Sequence, residues 1–357
     1  MGLSQYPHGS FGEYFYGNRP GKLGPRAQRN DRLLVIVLRS NLIKPMSDHR
    51  VHIPTSLRCN NHCVFCMEGD HLKGDDPPGW AEFIPLEKLE SQLLQVNDRE
   101  LPVLFTGGEP TLNPQLPQLI EMARSLGFRR IALQTNGRRL CYEAYVLRLI
   151  KAGLSEISIS IHGSVKKIHE AMTRLAGSFD QTLNGLGNIL RWKARMQTLK
   201  VTTTSTISRI NLKDLARLLG LLMGRSGIDV IVLNPLIVKG NAFLYERRLL
   251  VSYTQIADAF RAALDILKDQ GLQGFDRITW TDIPPCVMRG LEGYVGTFER
   301  VTTFPPETGK MEHLPEKLIF PGIKRPQCRG CLKGSACTGI NPVYIKTFGW
   351  SEFIPCR

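Results

Sequence analysis

The chain has 357 residues, enough for one large domain or two modest ones. Its 42 % apolar and 22 % charged residues describe a globular protein, and no run approaches the ~20 apolar residues of a membrane span. A formal net charge of +14 and a pI near 9.5 favour an anionic partner, although no dense Lys/Arg run marks a nucleic-acid site. With no secretory segment at its start, the chain is expected to be soluble and cytoplasmic, with no membrane contact.

Residues 1–31 show neither helical nor strand period and read as an extended arm. Leu33–Leu38 and Val51–Ser56 are candidate strands, the second leading into Cys59. From there strands and helices alternate. Pro85–Val96 is helical, and Pro102–Phe105 is a strand ending in Thr106-Gly107-Gly108-Glu109. Asn113 and Pro114 open a helix that closes at Gly127. Arg130–Gln134 is a strand ending in Thr135-Asn136-Gly137, followed by a helix over Cys141–Ala152. Glu156–Ile161 is a strand ending in His162. A helical stretch interrupted near Gly177 then runs to about Arg195. Lys200–Ile207 and Ile228–Leu233 are strands flanking a helix that Asn211 caps, with Leu212, Leu215, Leu219 and Leu222 on one face. A helix runs from Ser252 to about Lys268. The alternation implies βαβ units, a parallel sheet and functional residues at the strand C-termini. Residues 272–357 break the pattern and hold five of the nine cysteines, which reads as a small loop-rich domain held by metal. The expected domains are 1–49 (arm and strand), 50–250 (barrel) and 251–357 (helix and metal domain).

Cys59, Cys63 and Cys66 place three thiols within eight residues. Thiolates are the usual ligands of iron–sulfur clusters, and three on a four-iron cubane leave one iron open for another ligand. A closed zinc site would need a fourth ligand, for which His62 is the local candidate. The spacing CxxxCxxC, with Phe65 before the last Cys, resembles the radical S-adenosylmethionine (SAM) enzymes. The resemblance implies an α/β fold, a partial (β/α)6 TIM-like barrel with a small loop-rich C-terminal Fe–S domain. It also implies a [4Fe–4S] cluster, SAM bound at its open iron, and a flavodoxin- or ferredoxin-type electron donor.

The same resemblance extends downstream. Gly107-Gly108-Glu109 follows a strand and matches the family motif that holds the methionine amino group; glycines admit close backbone approach and a carboxylate suits an amine. Thr135 and Asn136 end the next strand, and Ser160 and His162 end the one after, where polar residues are implied to meet the ribose and carboxylate of SAM. Arg174, in Arg-Leu-Ala-Gly-Ser-Phe, resembles the family arginine that contacts the SAM carboxylate. Lys239-Gly240-Asn241-Ala242 resembles the loop beside the adenine.

Cys328-x-x-Cys331-x5-Cys337 is a second metal signal that does not itself specify the metal. It resembles the auxiliary-cluster domains called SPASM and twitch, which implies an auxiliary [4Fe–4S] cluster on Cys286, Cys328, Cys331 and Cys337, with Cys356 the rival fourth ligand. Cys141, within a helix, reads as a buried thiol. No catalytic proton donor or second radical residue is assigned.

The function expected from these features is a radical SAM enzyme that abstracts a hydrogen atom from a ribosomally made peptide, forming a crosslink, thioether or epimer. The alternative substrate is an anionic small molecule such as a nucleotide, sugar or cofactor precursor. A modified RNA base ranks third, and a non-catalytic scaffold is disfavoured because it needs no SAM-binding groups. The stretch before Cys59 is short for a leader-binding winged-helix domain, which weighs against the peptide.

Overall fold

The computed structural model describes residues 49–67, 82–296, 300–304, 310–314, 322–335 and 337–357, all within one compact unit. The expected arm over 1–31 and strand Leu33–Leu38 lie outside the described residues.

Six strands anticipated from the sequence form the centre of one sheet: β1 (His49–Pro54), β2 (Val103–Thr106), β3 (Ile131–Thr135), β4 (Glu156–Ser160), β5 (Lys200–Ile207) and β6 (Val230–Pro235). They pair in parallel in chain order. Between them run α1 (Leu86–Gln95), α2 (Leu116–Ser125), α3 (Glu143–Ala152), α4 (Lys166–Thr173), α5 (Ser178–Arg195) and α6 (Leu215–Met223). Beyond β6 lie α7 (Asn241–Leu244), α8 (Glu246–Leu249) and α9 (Tyr253–Asp269).

The sheet is wider than six strands. β7 (Ile278–Trp280) adds in parallel to β6, and β8 (Arg300–Thr303) adds in parallel to β1. β9 (Glu312–Leu314) runs antiparallel to β8. Eight parallel strands therefore make an open, partial TIM-like arrangement with one antiparallel edge strand. Short, irregular flanks hid β7 to β9 from pattern reading, because three- or four-residue strands show little period.

Strand alternation sets the two faces. Val51, Ile53, Phe105, Leu133, Ile159, Val201, Ile231 and Trp280 are buried together on the outer face beneath the helices. The inner face carries the intervening residues, many of them only half-buried. In α6, Leu215, Leu219 and Leu222 form the expected buried stripe, while Leu212 sits in the preceding turn. Asn211 does not cap that helix. Its amide donates to the carbonyls of His162 (2.9 Å) and Thr206 (2.8 Å), tying the ends of β4 and β5. Asn113 receives the Gln115 N–H at 2.9 Å, and α2 starts just beyond. The helical run to Arg195 breaks where Arg174 and Gly177 adopt left-handed backbone angles.

α9 begins with a capping box between Ser252 and Gln255. It anchors the C-terminal region through Tyr253, whose ring stacks on Tyr344 at 4.3 Å and whose N–H donates to the Tyr344 hydroxyl at 2.6 Å. Tyr344 lies in α10 (Pro342–Phe348) and is itself bonded to Glu352. Among the described residues no helix is long and apolar enough to cross a membrane.

Candidate functional site

The loop holding Cys59, Cys63 and Cys66 leaves the C-terminal end of β1 and is gripped at three points. Near its start, the Gly108 N–H donates to Ser56 O at 2.8 Å and the Glu109 N–H to Arg58 O at 2.7 Å. Midway, the N–H groups of His62 and Val64 donate to the carbonyls of Thr173 and Met172, both at 3.0 Å. At its end the Asn241 N–H donates to Cys66 O at 2.9 Å.

These contacts explain the glycines. A Cβ on Gly107 would stand 2.2 Å from Ser56 O, and one on Gly108 would stand 2.3 Å from Arg58 O. What approaches the glycines is the backbone leading to Cys59, where the motif alone suggested a ligand. Gly240 does the same work on the far side, with Cys66 O 2.5 Å from where its Cβ would be.

Glu109 is fully buried. Its Oε1 accepts from the Thr111 N–H (3.0 Å), the Thr111 hydroxyl (2.6 Å) and the Thr135 hydroxyl (2.7 Å); its Oε2 accepts from the Asn136 N–H (2.6 Å). Burial raises its carboxyl above the usual range, opposed by those same donors. The carboxylate thus clasps the ends of β2 and β3. Asn136 extends the clasp to the cysteine loop, donating to Asn60 Oδ1 at 2.7 Å and lying 4.0 Å from Cys59 Sγ.

His162 is buried, and its ring meets Phe65 edge-on at 4.5 Å. Its Nδ1 accepts the Thr206 N–H at 3.2 Å, which places the ring proton on Nε2. Burial and then His169 hold its pKa well below the usual value, so the ring is neutral. Ser160 lies opposite Thr204 on the inner face. Arg174 follows the Met172–Thr173 segment that borders the cysteine loop. Its exposed guanidinium donates to the Tyr245 hydroxyl at 2.5 Å and lies over that ring.

Asn60, Asn61 and Arg138 went unassigned in the sequence, and Asn241 was placed at the site only as part of the loop implied to lie beside the adenine. Arg138 donates to the carbonyl of Asn60 and, at 3.2 Å, to Asn61 Oδ1. The Asn61 N–H donates to Cys59 Sγ at 3.4 Å. Asn241 donates from its side chain to Cys63 O at 3.1 Å, while its buried Oδ1 finds no partner among the described residues. Position was the available signal: Asn60 and Asn61 lie inside the cysteine motif, and Arg138 directly follows Asn136-Gly137.

All nine cysteines are free thiols. Burial, then Glu109, pushes the Cys59 thiol up to about 12; burial, then Cys59 and Cys66, raises Cys63 well above the usual range. Three thiols that oppose one another's ionisation need a cationic centre to become thiolates, which fits an iron–sulfur cluster. The unpaired Oδ1 of Asn241 beside them fits a ligand with an N–H donor, as SAM has. Among the described residues no group of three His, Cys, Asp or Glu is arranged to hold a single metal ion.

The second set of thiols lies in the C-terminal region. Cys286, Cys328, Cys331 and Cys337 line one cavity, with Lys324 and Trp350. The Cys356 thiol is in hydrogen-bonding contact with that of Cys331, and its carbonyl accepts the Leu332 N–H at 2.9 Å. Burial, then Cys337, Cys356 and Cys331, pushes Cys286 up to about 12. Cys141 departs from expectation: it ends a short turn before α3 and is only part-buried.

The radical SAM superfamily model matches residues 53–222. The chain is 33 % identical over 144 residues to a probable GTP 3′,8-cyclase of Saccharolobus islandicus (strain Y.N.15.51 / Yellowstone #2), covering 40 % of this chain and 43 % of that protein. It is 33 % identical over 147 residues to the GTP 3′,8-cyclase of Xanthomonas campestris pv. campestris (strain B100), covering 40 % and 42 %. The match thus spans less than half the length of these curated relatives. Native anSMEcpe with bound AdoMet superposes with a TM-score of 0.57 at 16 % identity, covering 85 % of this chain and 95 % of that one. The same enzyme with AdoMet and the Kp18Cys peptide gives 0.57 at 16 %. At such identity the likeness is one of fold.

Proposed function

We propose, from the premise that this chain carries a radical SAM superfamily domain over residues 53–222, that it is an enzyme taking a hydrogen atom from a small polar molecule of the nucleotide class. Cys59, Cys63 and Cys66 would hold a [4Fe–4S] cluster, and SAM would lie beside it against Glu109, Asn136, His162 and Asn241. When bound, that pair supplies the electron and the 5′-deoxyadenosyl group that attacks an unactivated C–H bond. The electron source proposed is a flavodoxin- or ferredoxin-type protein.

The residues have distinct tasks. The Asn61 N–H, at 3.4 Å from Cys59 Sγ, donates to a ligand sulfur and so tunes its electron density. Glu109 joins the ends of β2 and β3 beneath the loop, and Asn136 carries that join to Asn60. Phe65 and neutral His162 pack edge to face and add apolar surface against water. Cys286, Cys328, Cys331 and Cys337 would carry an auxiliary cluster, with Cys356 alongside.

One observation carries the substrate class: the 33 % identity over 144 residues to GTP 3′,8-cyclases, whose name states a nucleotide substrate. The peptide reading has only likeness of fold at 16 % identity behind it. The test is to reconstitute the chain anaerobically, reduce it with SAM, and measure 5′-deoxyadenosine with and without GTP and with a short acidic peptide. Faster formation with GTP is expected. Acceleration by peptide alone would overturn the substrate class, and no product from cluster-loaded protein would overturn the enzyme reading.

A further inference from the structure

Two adjacent arginines follow Asn136-Gly137, and they turn to different tasks. Arg139 donates to Thr111 O at 2.8 Å and lies over the Tyr145 ring at 4.9 Å, so it braces the barrel. Arg138 turns to the cysteine loop. Its Nη1 donates to Asn60 O and, at 3.2 Å, to Asn61 Oδ1. Its Nε donates to Gln181 Oε1 at 2.7 Å, which holds the guanidinium between α5 and the loop. These three partners are neutral.

Asn61 is buried and touches two of the three thiols. Its N–H donates to Cys59 Sγ at 3.4 Å, and its side chain is in hydrogen-bonding contact with the Cys63 thiol. With Oδ1 receiving the guanidinium, the NH2 is the end left to face sulfur. An amide whose oxygen accepts from a cation is polarised, and its N–H groups become stronger donors. Burial lowers the Arg138 pKa, while Cys59 and then Glu109 favour its charge. Glu109 acts on the loop in the opposite sense: after burial, it is the group that raises the Cys59 thiol. A held anion and a held cation therefore act near Cys59 with opposite sign.

We infer that Arg138 is a positioning residue that acts through Asn61 to ease the entry of an electron at the centre held by Cys59 and Cys63. The inference rests on the reading of Cys59, Cys63 and Cys66 as cluster ligands and concerns what this chain adds to them. Reduction by one electron adds one negative charge at the thiolate ligands. A guanidinium with neutral partners and amide hydrogens directed at ligand sulfur both stabilise that charge, so both raise the reduction potential. A part-buried site weakens such effects less than bulk water does. Arg139 carries the same charge but is committed to Thr111 and Tyr145, so it lacks this route.

The test is a redox titration of the anaerobic, reconstituted full chain, followed by electron paramagnetic resonance. The signal read is the one that SAM alters, which separates this centre from a second cluster. The proteins compared are the native chain, Arg138→Gln, Arg138→Lys, Asn61→Ala, the double variant Arg138→Gln/Asn61→Ala, and Arg139→Gln. Arg138→Gln should disfavour the reduced form about tenfold, a midpoint about 59 mV more negative for one electron. Arg138→Lys keeps the charge without the fork and should recover part of that shift. The double variant should shift by less than the sum of the two single variants, as residues acting along one route do. Arg139→Gln should keep the native midpoint. Iron content and melting temperature report whether each variant is intact. If Arg138→Gln loses its iron, Arg138→Lys and Asn61→Ala decide, and native midpoints in both would overturn the inference. A native midpoint in intact Arg138→Gln, an equal shift in Arg139→Gln, or a double variant equal to the full sum would overturn it as well. Each of these leaves the radical SAM reading standing, whereas a native chain with no SAM-sensitive signal overturns both.

Discussion

Asn241 is fastened to Cys66: its N–H donates to the Cys66 carbonyl at 2.9 Å, joining the chain after β6 to the end of the cysteine loop. Gly240 makes that approach possible, with φ +59° and ψ −130° and no room for a Cβ. Gly240→Ala should therefore push the loop away, at a cost of about 1–3 kcal/mol from left-handed strain and the clash. The expected outcome is loss of iron bound at Cys59, Cys63 and Cys66 with most of the melting temperature retained. Full iron loading in the variant would show that the loop does not depend on this contact.

Glu109 offers a second lever. Its two oxygens accept from four donors, so an amide in its place must turn an NH2 toward at least one of them. Glu109→Gln is expected to destabilise the fold by about 2–4 kcal/mol, since an unsatisfied buried donor costs about 1–3 kcal/mol and the charged acceptor is lost as well. Chemical denaturation measures this directly, and an unchanged midpoint would contradict it.

Two buried histidines predict acid sensitivity. Burial, then Arg50, lowers His52 to about 4, and burial alone lowers His169 to about 4, from 6.5. The unfolded chain therefore binds more protons than the folded one between about pH 6.5 and 4, and stability falls as pH drops through that window. Each group's full contribution is about 3 kcal/mol by linkage. Denaturation at a series of pH values should show the slope, and His52→Phe should flatten it.

The C-terminal thiols give a paired comparison. Cys286 lines the cavity with Cys328, Cys331 and Cys337, whereas Cys356 contacts Cys331 from the C-terminal tail. With two cubanes, iron should reach about eight per chain. Cys286→Ala is expected to lower it to about four, with Cys356→Ala closer to the native value. The reverse order would make Cys356 the fourth ligand.

Much of the barrel was legible because it is written in local periods. The apolar patterns of β1 to β6 mark strands and their alternation with helices marks the sheet as parallel, and CxxxCxxC places three thiols together whatever surrounds them. Gly107 and Gly108 were visible as glycines after a strand, but their reason was not. Only the folded chain brings the carbonyls of Ser56 and Arg58 against them.

The remainder depends on contacts distant in the chain. β7 and β8 owe their place to open sheet edges rather than to any pattern in three or four residues. Nothing local to Glu109 announces its protein partners; the register of β2 beside β3 brings Thr135 and Asn136 to it. The sequence left Cys286 and Cys356 as rivals for the fourth place beside Cys328, Cys331 and Cys337; the anchoring of α10 on α9 brings the C-terminal segments together. Local sequence determines which elements form and which faces are apolar, because propensity and period act over a few residues. Tertiary packing decides what each polar group meets, because a hydrogen bond depends on distance in space.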